Sequence, residues 1–382
     1  MRINIVMGFF LPVPAVAGGA MEKAWHRLAG EFARAGHEVA LLSRRWPGFP
    51  DQERLDGVRL IRVPGFSHRR HLAFNLLLDG IWGLRVLRRL PAADLTVCNT
   101  VSLPIHLPRL RPAAGRVVVV VARMPKGQIR FYRRAARLVA ISRAVADQVA
   151  RECAALVDRT RVVPVPIDWD LHARAAARPG DPVTIGYVGR LHPEKGLELL
   201  LRAAARLAAD PALPAWRLVL RGPADVRRGG GGPACVARLR AEFEPRLGGR
   251  LAFEPPVFDP EPLARCYGAL DIFCYPSLAV RGEALGVAPL EAMASGAVPV
   301  LSGLDCFREM LRDGVNGFSF DQTAPDADAR LAAVLARLIR DPGLRAAAAG
   351  QAQLDARRFD HSVIARTLLD DFAQLTGPAS GR

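Results

Sequence analysis

The chain has 382 residues, half of them apolar, with 53 Lys+Arg against 37 Asp+Glu for a net charge of +16. That length is long for a single hydrophobic core, so two domains are the default, each apolar enough to bury one of its own. No apolar run approaches the roughly 18 residues of a membrane span, and no aromatic-interleaved basic stripe of a nucleic-acid binder occurs.

Strands and helices alternate along the chain, which predicts parallel sheets covered by helices. Arg2-Ile-Asn-Ile-Val-Met7 opens as a strand, without the cleavage pattern of a signal peptide. Further strands are expected near 38–43, 58–63, 94–98, 116–122, 137–141 and 161–165, with helices near 20–35, 73–89, 128–135 and 142–154. Val117 to Val121 suits a strand buried on both faces. Leu72–Leu87 is interrupted by Asp79 and Arg85 and reads as a core helix. A linker is expected from Trp169 to Pro182, dividing a domain over 1–178 from a second over 179–356. Second-half strands lie near 183–188, 216–221, 250–254, 271–274, 298–301 and 316–320, and Gly229–Gly232 reads as a flexible surface loop. The Ala/Leu/Arg-rich stretch 325–375 reads as terminal helices broken near Asp341-Pro-Gly343. The six cysteines are scattered, as reduced thiols of a cytoplasmic protein would be.

Charge is uneven. Residues 1–180 hold 29 Lys+Arg against 13 Asp+Glu, whereas residues 181–382 hold 24 of each. A basic first domain attracts anionic lipid, nucleic acid or small anions without distinguishing them, and nucleic acid is the weakest of these. Basic pairs at Arg69-Arg70, Arg88-Arg89 and Arg133-Arg134 make the cytoplasmic face of a membrane one expected partner. Arginines spread evenly around a soluble domain, or paired with its acids, are the alternative.

Two segments carry chemistry. In Val183-Thr-Ile-Gly-Tyr-Val-Gly-Arg-Leu-His-Pro-Glu-Lys-Gly196 a strand runs through a glycine turn into a helix start bearing Arg190 and Lys195. Two cations beside a helix N-terminus suit a diphosphate, Arg through its fork and Lys as a point charge. Neither the dinucleotide glycine fingerprint nor a P-loop is present. The second segment, Glu283-Ala-Leu-Gly-Val-Ala-Pro-Leu-Glu291, sets one carboxylate before a helix and one inside it, where acceptor oxygens can grip hydroxyls. Phosphate grip from one loop and hydroxyl grip from another describe a nucleotide-sugar site.

These motifs closely resemble the retaining glycosyltransferases of the GT-B fold, family 4. The resemblance rests on G-R-L-H-P-E-K-G at 189–196, L-V-L-R-G-P at 218–223, the two glutamates at 283 and 291, and F-R-E-M-L-R-D-G-V-N-G-F at 307–318. It continues more weakly in Gly18-Gly19-Ala20 and in residues 136–147. It implies two Rossmann-like α/β domains facing across a cleft, with a last helix over 357–382 crossing back to the first. It further implies a metal-independent, cofactor-free transfer, with retention of configuration, from a nucleotide-diphosphate sugar to a saccharide or lipid-linked acceptor. On that resemblance Arg190 and Lys195 neutralise the diphosphate, Glu283 binds sugar hydroxyls and Glu291 the ribose. Gly189, Gly222, Leu285, Gly286 and Val287 complete the donor side, and Gly18 and Gly19 approach the diphosphate from the opposite wall. Where family members often place histidines, Asn99 and Arg123 stand and become acceptor-side candidates. His106 is expected to be a core residue. A non-catalytic nucleotide-sugar binder and a GT-B phosphorylase or nucleotide-sugar hydrolase remain as alternatives.

Overall fold

The computed structural model describes every residue except 17, 68, 70, 177–179, 280–282 and 378–382. Arg70 of the basic pair, and Arg178 and Pro179 of the expected linker, lie outside the described residues. The chain divides into two units, Met1–Pro166 with His361–Arg382, and Ile167–Asp360.

The first unit is an eight-stranded sheet in the order β3-β4-β2-β1-β5-β6-β7-β8. Its strands are β1 (Arg2–Val6), β2 (Glu38–Arg44), β3 (Gln52–Leu55), β4 (Val58–Val63), β5 (Leu95–Cys98), β6 (Arg116–Val121), β7 (Arg137–Ala140) and β8 (Thr160–Val162). All neighbours pair in parallel except β3, which runs antiparallel to β4. That edge strand was not foreseen, yet Asp56 and Gly57 both take positive φ, 52° and 79°, the type I′ geometry of two-residue hairpins. Helices α1 (Ala20–Arg34), α2 (Leu72–Arg89), α3 (Leu103–Leu110) and α4 (Arg143–Glu152) connect the strands. The helix expected over 128–135 is a single 3-10 turn, Ile129–Tyr132. Its two apolar anchors, Ile129 and Tyr132, stand three apart and both bury in one such turn.

Helix α2 corrects a second expectation. Only one side of it, bearing Asn75, Asp79, Trp82, Gly83 and Val86, is buried. Leu72, Phe74, Leu76, Leu77 and Leu84 are exposed, so this is no core helix.

The second unit is a six-stranded, all-parallel sheet in the order β11-β10-β9-β12-β13-β14. It comprises β9 (Val183–Val188), β10 (Trp216–Arg221), β11 (Leu251–Glu254), β12 (Ile272–Tyr275), β13 (Val298–Ser302) and β14 (Phe318–Phe320). Its helices are α5 (Trp169–Ala175), α6 (Leu197–Ala208), α7 (Pro233–Leu247), α8 (Pro260–Gly268), α9 (Val287–Ala294), α10 (Ala327–Arg340) and α11 (Pro342–Ala356). Helix α5 occupies much of the expected linker. Asp168 caps it by accepting from the Leu171 N–H at 3.1 Å, and Trp169 Nε1 donates to the Gln353 carbonyl at 2.9 Å. It packs on α8 and α9, so the first unit ends at Pro166 rather than at residue 178.

The chain re-enters the first unit at His361, later than residue 357, as α12 (His361–Thr376). Ile364, Ala365, Leu368 and Phe372 of α12 share one core with Trp25, Leu28 and Phe32 of α1 and the strands beneath. Phe32 and Phe372 meet edge to face at 6.0 Å, and the buried ion pair of Arg137 with Asp371, 2.8 Å, ties α12 to β7. Each fully buried Phe or Leu of this kind contributes about 1.5–3 kcal/mol, which is what makes the last helix part of this unit.

Counted from β9, the second sheet has the doubly wound order 3-2-1-4-5-6, reversing between β9 and β12; the first reverses between β1 and β5. Ligands of such sheets bind outside the carboxyl ends of the strands at these reversal points.

Candidate functional site

In the second unit the loops leaving β9 and β12 are joined by backbone. The Leu278 N–H donates to the Glu194 carbonyl at 2.8 Å. Gly196, at φ +70°, lies so close to Pro276 that a Cβ there would stand 2.0 Å from its carbonyl oxygen, which requires glycine. This contact brings Lys195 Nζ to 2.6 Å from Glu283 Oε2, both largely buried. The Ser277 hydroxyl donates to the same oxygen at 3.0 Å. Lys195 Nζ stands 5.3 Å from the centre of the Tyr275 ring, which stacks on Tyr187 at 5.7 Å. Burial, and next the Glu283 charge, push both tyrosine hydroxyls well above their ordinary range, so they remain neutral donors.

Arg190 is exposed and turned across its own loop, with Nη2 2.7 Å from Glu194 Oε1 and Nη1 donating to the Gly229 carbonyl at 2.8 Å. The glycine run is therefore not a free surface loop. Its Gly231 N–H donates to the Leu191 carbonyl at 2.8 Å, and a Cβ at Gly230 would stand 2.3 Å from Ala224 backbone. Gly189 and Gly222 abut at the ends of β9 and β10, where a Cβ on Gly222 would lie 1.8 Å from the Gly189 carbonyl oxygen.

Leu285 and Gly286 are buried ahead of α9, and Gly286 packs so tightly that a Cβ would meet Pro289 and Phe307 at 2.9–3.0 Å. With Val287 they form the N-terminal end of α9. Glu291, one turn further on, is buried at 9% exposure. Its neighbours were not foreseen. Tyr267 of α8 hydrogen-bonds to it, and His172 of α5 places Nε2 3.9 Å from Oε1 while its Nδ1 is 2.9 Å from the Ser295 hydroxyl. Glu283 and Glu291 thus have different settings, the first ion-paired to the β9 loop and the second held among the helices.

In the first unit, Gly18 and Gly19 follow β1 with φ of +82° and +113°, conformations that favour glycine. A Cβ on Gly18 would face open space, whereas one on Gly19 would stand 2.3 Å from Glu22 Oε2. Glu22 is another residue not singled out from sequence. It is buried, and burial pushes its carboxyl above the usual range, opposed by its own N–H and by the Arg123 guanidinium. Arg123 itself is exposed in the loop after β6. Asn99 follows β5; its N–H donates to the Val6 carbonyl at 2.8 Å, and its Oδ1 is buried with no hydrogen-bond partner among the described residues. Gly18, Gly19 and Asn99 therefore belong to the reversal point of the first sheet. His106 is exposed on α3 and not in the core. Among the described residues no three His, Cys, Asp or Glu side chains converge as a metal site requires.

Two doubly wound, largely parallel Rossmann-like domains are the fold of the GT-B glycosyltransferases. The chain belongs to that family: residues 170–355 match the profile of the glycosyl transferases group 1, and residues 17–171 that of glycosyltransferase family 4. The D-inositol 3-phosphate glycosyltransferase of Xylanimonas cellulosilytica is 33% identical over 254 residues, 63% of this chain and 57% of that protein. The match thus spans little more than half of that relative. The phosphatidyl-myo-inositol mannosyltransferase of Mycolicibacterium smegmatis is 28% identical across 99% of this chain and 95% of its own. Among solved structures, the sucrose-phosphate synthase of Thermosynechococcus elongatus superposes with a TM-score of 0.77 at 20% identity, covering 98% of this chain and 99% of that one, a likeness of fold.

Proposed function

We propose that the protein is a retaining, metal-independent glycosyltransferase. Its second unit would hold a nucleoside-diphosphate sugar, and its first unit a saccharide or lipid-linked acceptor used in cell-surface glycan synthesis. The observation that carries this reading is the Lys195–Glu283 pair at the β9/β12 reversal, with Arg190 in the same loop. The names of the relatives, transferases acting on inositol phosphate or phosphatidylinositol, support the class of reaction.

The bond from the anomeric carbon to the diphosphate oxygen breaks, and negative charge grows on the departing oxygen. Lys195 and Arg190 would meet that charge, an interaction stronger in the transition state than before it. The acceptor hydroxyl attacks from the face the diphosphate leaves, and its proton passes to a phosphate oxygen. Glu291, held by Tyr267 and His172, would accept from the ribose hydroxyls, and Glu283 from the sugar. Six free thiols support a reducing, cytoplasmic compartment. Among the described residues no helix is long and apolar enough to cross a membrane.

The test incubates the protein with a panel of nucleotide sugars and acceptors in the presence of a chelator, reading product anomer by NMR. Transfer with retention supports the reading. Donor binding without turnover would make the protein a non-catalytic binder, and phosphate-dependent cleavage or acceptor-free hydrolysis would assign it a different GT-B chemistry.

A further inference from the structure

The positive charge of the first unit is concentrated in one stretch of the chain, of which Arg62 and Arg137 are buried and paired with Glu53 and Asp371 from outside it. Residues 57–146 hold 17 Lys+Arg against two acids, Asp79 and Asp94. Asp79 is buried under α2, where its Oδ2 accepts from the Ser102 N–H at 2.6 Å, and Asp94 is paired with Arg2 at 3.1 Å. This segment builds the connections from β4 through β7. Those connections all cross the sheet in one direction, toward the β8 edge, whereas α1 crosses in the other, toward the β3 edge. With right-handed crossovers, α2, α3 and the 129–132 turn therefore cover one face and α1 the opposite one. Helix α2 touches α3, and α3 touches that turn.

The same face carries exposed apolar side chains. Leu72, Phe74 and Leu77 are 59–67% exposed, joined by Leu76 and Leu84 on α2, Leu110 at the end of α3 and Phe131 on the turn. From Leu72 to Leu84 the only charged residue of α2 is the inward Asp79. Exposed arginines border this surface: Arg88 and Arg89 end α2, Arg109 ends α3, and Arg130 and Arg133 flank Phe131. A polyanion such as nucleic acid would engage the arginines but leave the leucines and phenylalanines in water. A bilayer with anionic headgroups satisfies both, taking apolar side chains into its acyl boundary and arginines at its phosphates.

We propose that this face of the first unit docks on an anionic phospholipid bilayer, with the first turns of α2 inserted at the interface. The inner side of α2 is fixed to the strand ends: Trp82 Nε1 donates to the Met7 carbonyl after β1 at 3.2 Å, and Asp79 holds the loop after β5. Docking therefore brings the β1/β5 reversal, with Gly18, Gly19 and Asn99, to the membrane surface. Where the glycosyltransferase reading holds, the acceptor is membrane-embedded, a consequence that rests on that reading; the docking itself does not.

The experiment is sedimentation of the full chain with vesicles of phosphatidylcholine alone or mixed with phosphatidylglycerol, without nucleotide, at low and high salt. The protein is expected to pellet with the anionic vesicles and to be released by salt. Phe74→Ser/Leu77→Ser, which keeps the charge unchanged, is expected to weaken that binding roughly tenfold or more. Its melting temperature and nucleotide-induced thermal shift should stay at wild-type values, because both positions are exposed. Equal recovery in the supernatant with neutral and anionic vesicles would overturn the proposal. So would undiminished binding by the double variant, which would leave a surface for polyanions and not for a bilayer. A protein that pellets with anionic vesicles yet binds no nucleotide sugar would keep the docking and remove the donor reading.

Discussion

Lys195 and Glu283 lie 88 residues apart in sequence and meet as a largely buried ion pair, Nζ to Oε2 at 2.6 Å. Each is the other's main neutralising charge, so the cation proposed to receive the diphosphate is held in place before any donor arrives. Such preorganisation makes an electrostatic donor effective.

Lys195→Ala therefore has two separable effects. It strands the Glu283 carboxylate, at a cost of roughly 3 kcal/mol for a broken buried pair, and it lowers turnover on the order of a hundredfold or more. In Lys195→Ala/Glu283→Ala the thermal melt should recover part of the lost stability while turnover stays low. Wild-type transfer rates in a folded Lys195→Ala variant would remove this pair from the site.

Arg190 is the contrasting case. It is exposed, and its bonds to Glu194 and the Gly229 carbonyl are ones water can replace. Arg190→Ala is expected to change stability by no more than about 0.5 kcal/mol. Turnover should nonetheless fall on the order of a hundredfold, a separation read by combining a denaturant melt with steady-state kinetics.

The donor side was legible because its logic is local. A strand, a glycine turn and two cations lie within residues 183–196, and the Glu283 to Glu291 segment follows another strand end directly. Contacts made across the fold left no such trace. His172 reaches Glu291 from a helix whose Ala/Arg-rich sequence resembles a linker, because α5 is short and held by Asp168 and Trp169 rather than by an apolar stripe. The glycine run after β10 follows no strand closely and introduces no cation in sequence, so it reads as a free loop, whereas its docking depends on backbone approach to Leu191 and Ala224. The β3–β4 hairpin was legible and missed, since Asp56-Gly57 is a strong two-residue turn signal. The exposure of α2 was hidden by a different limit: an apolar helix reads alike whether protein or bilayer covers it.

His172 and Tyr267 act through Glu291. Glu291→Ala is expected to weaken nucleotide affinity directly. His172→Ala, by freeing the carboxylate to turn, should raise donor KM several-fold and leave kcat near wild type, whereas a defect of folding alone would lower active enzyme and kcat without moving KM. Isothermal titration with the nucleoside diphosphate gives the same ordering without turnover. A His172→Ala variant with unchanged KM and unchanged nucleotide affinity would make the histidine a packing residue only.

Glu22 supplies the pH dependence. Burial raises its carboxyl in the folded state, against the lowering effects of its own N–H and Arg123. For an acid the folded state then holds its proton more tightly than the unfolded one. Its destabilising contribution sets in as pH rises through the unfolded value of about 4.3 and is complete above the raised folded value. Glu22→Gln, which cannot ionise, should melt at a higher temperature than wild type at neutral pH, and the difference should close as pH falls toward about 4. Arg123→Ala removes a cation that favours the charged form, so it should destabilise at neutral pH and converge with wild type in acid. In Glu22→Gln/Arg123→Ala the arginine's effect on pH dependence should vanish, because its partner can no longer charge. Scanning calorimetry across that range measures all four proteins. Parallel curves for wild type and Glu22→Gln would mean that the carboxylate beside Gly19 is as well solvated folded as unfolded.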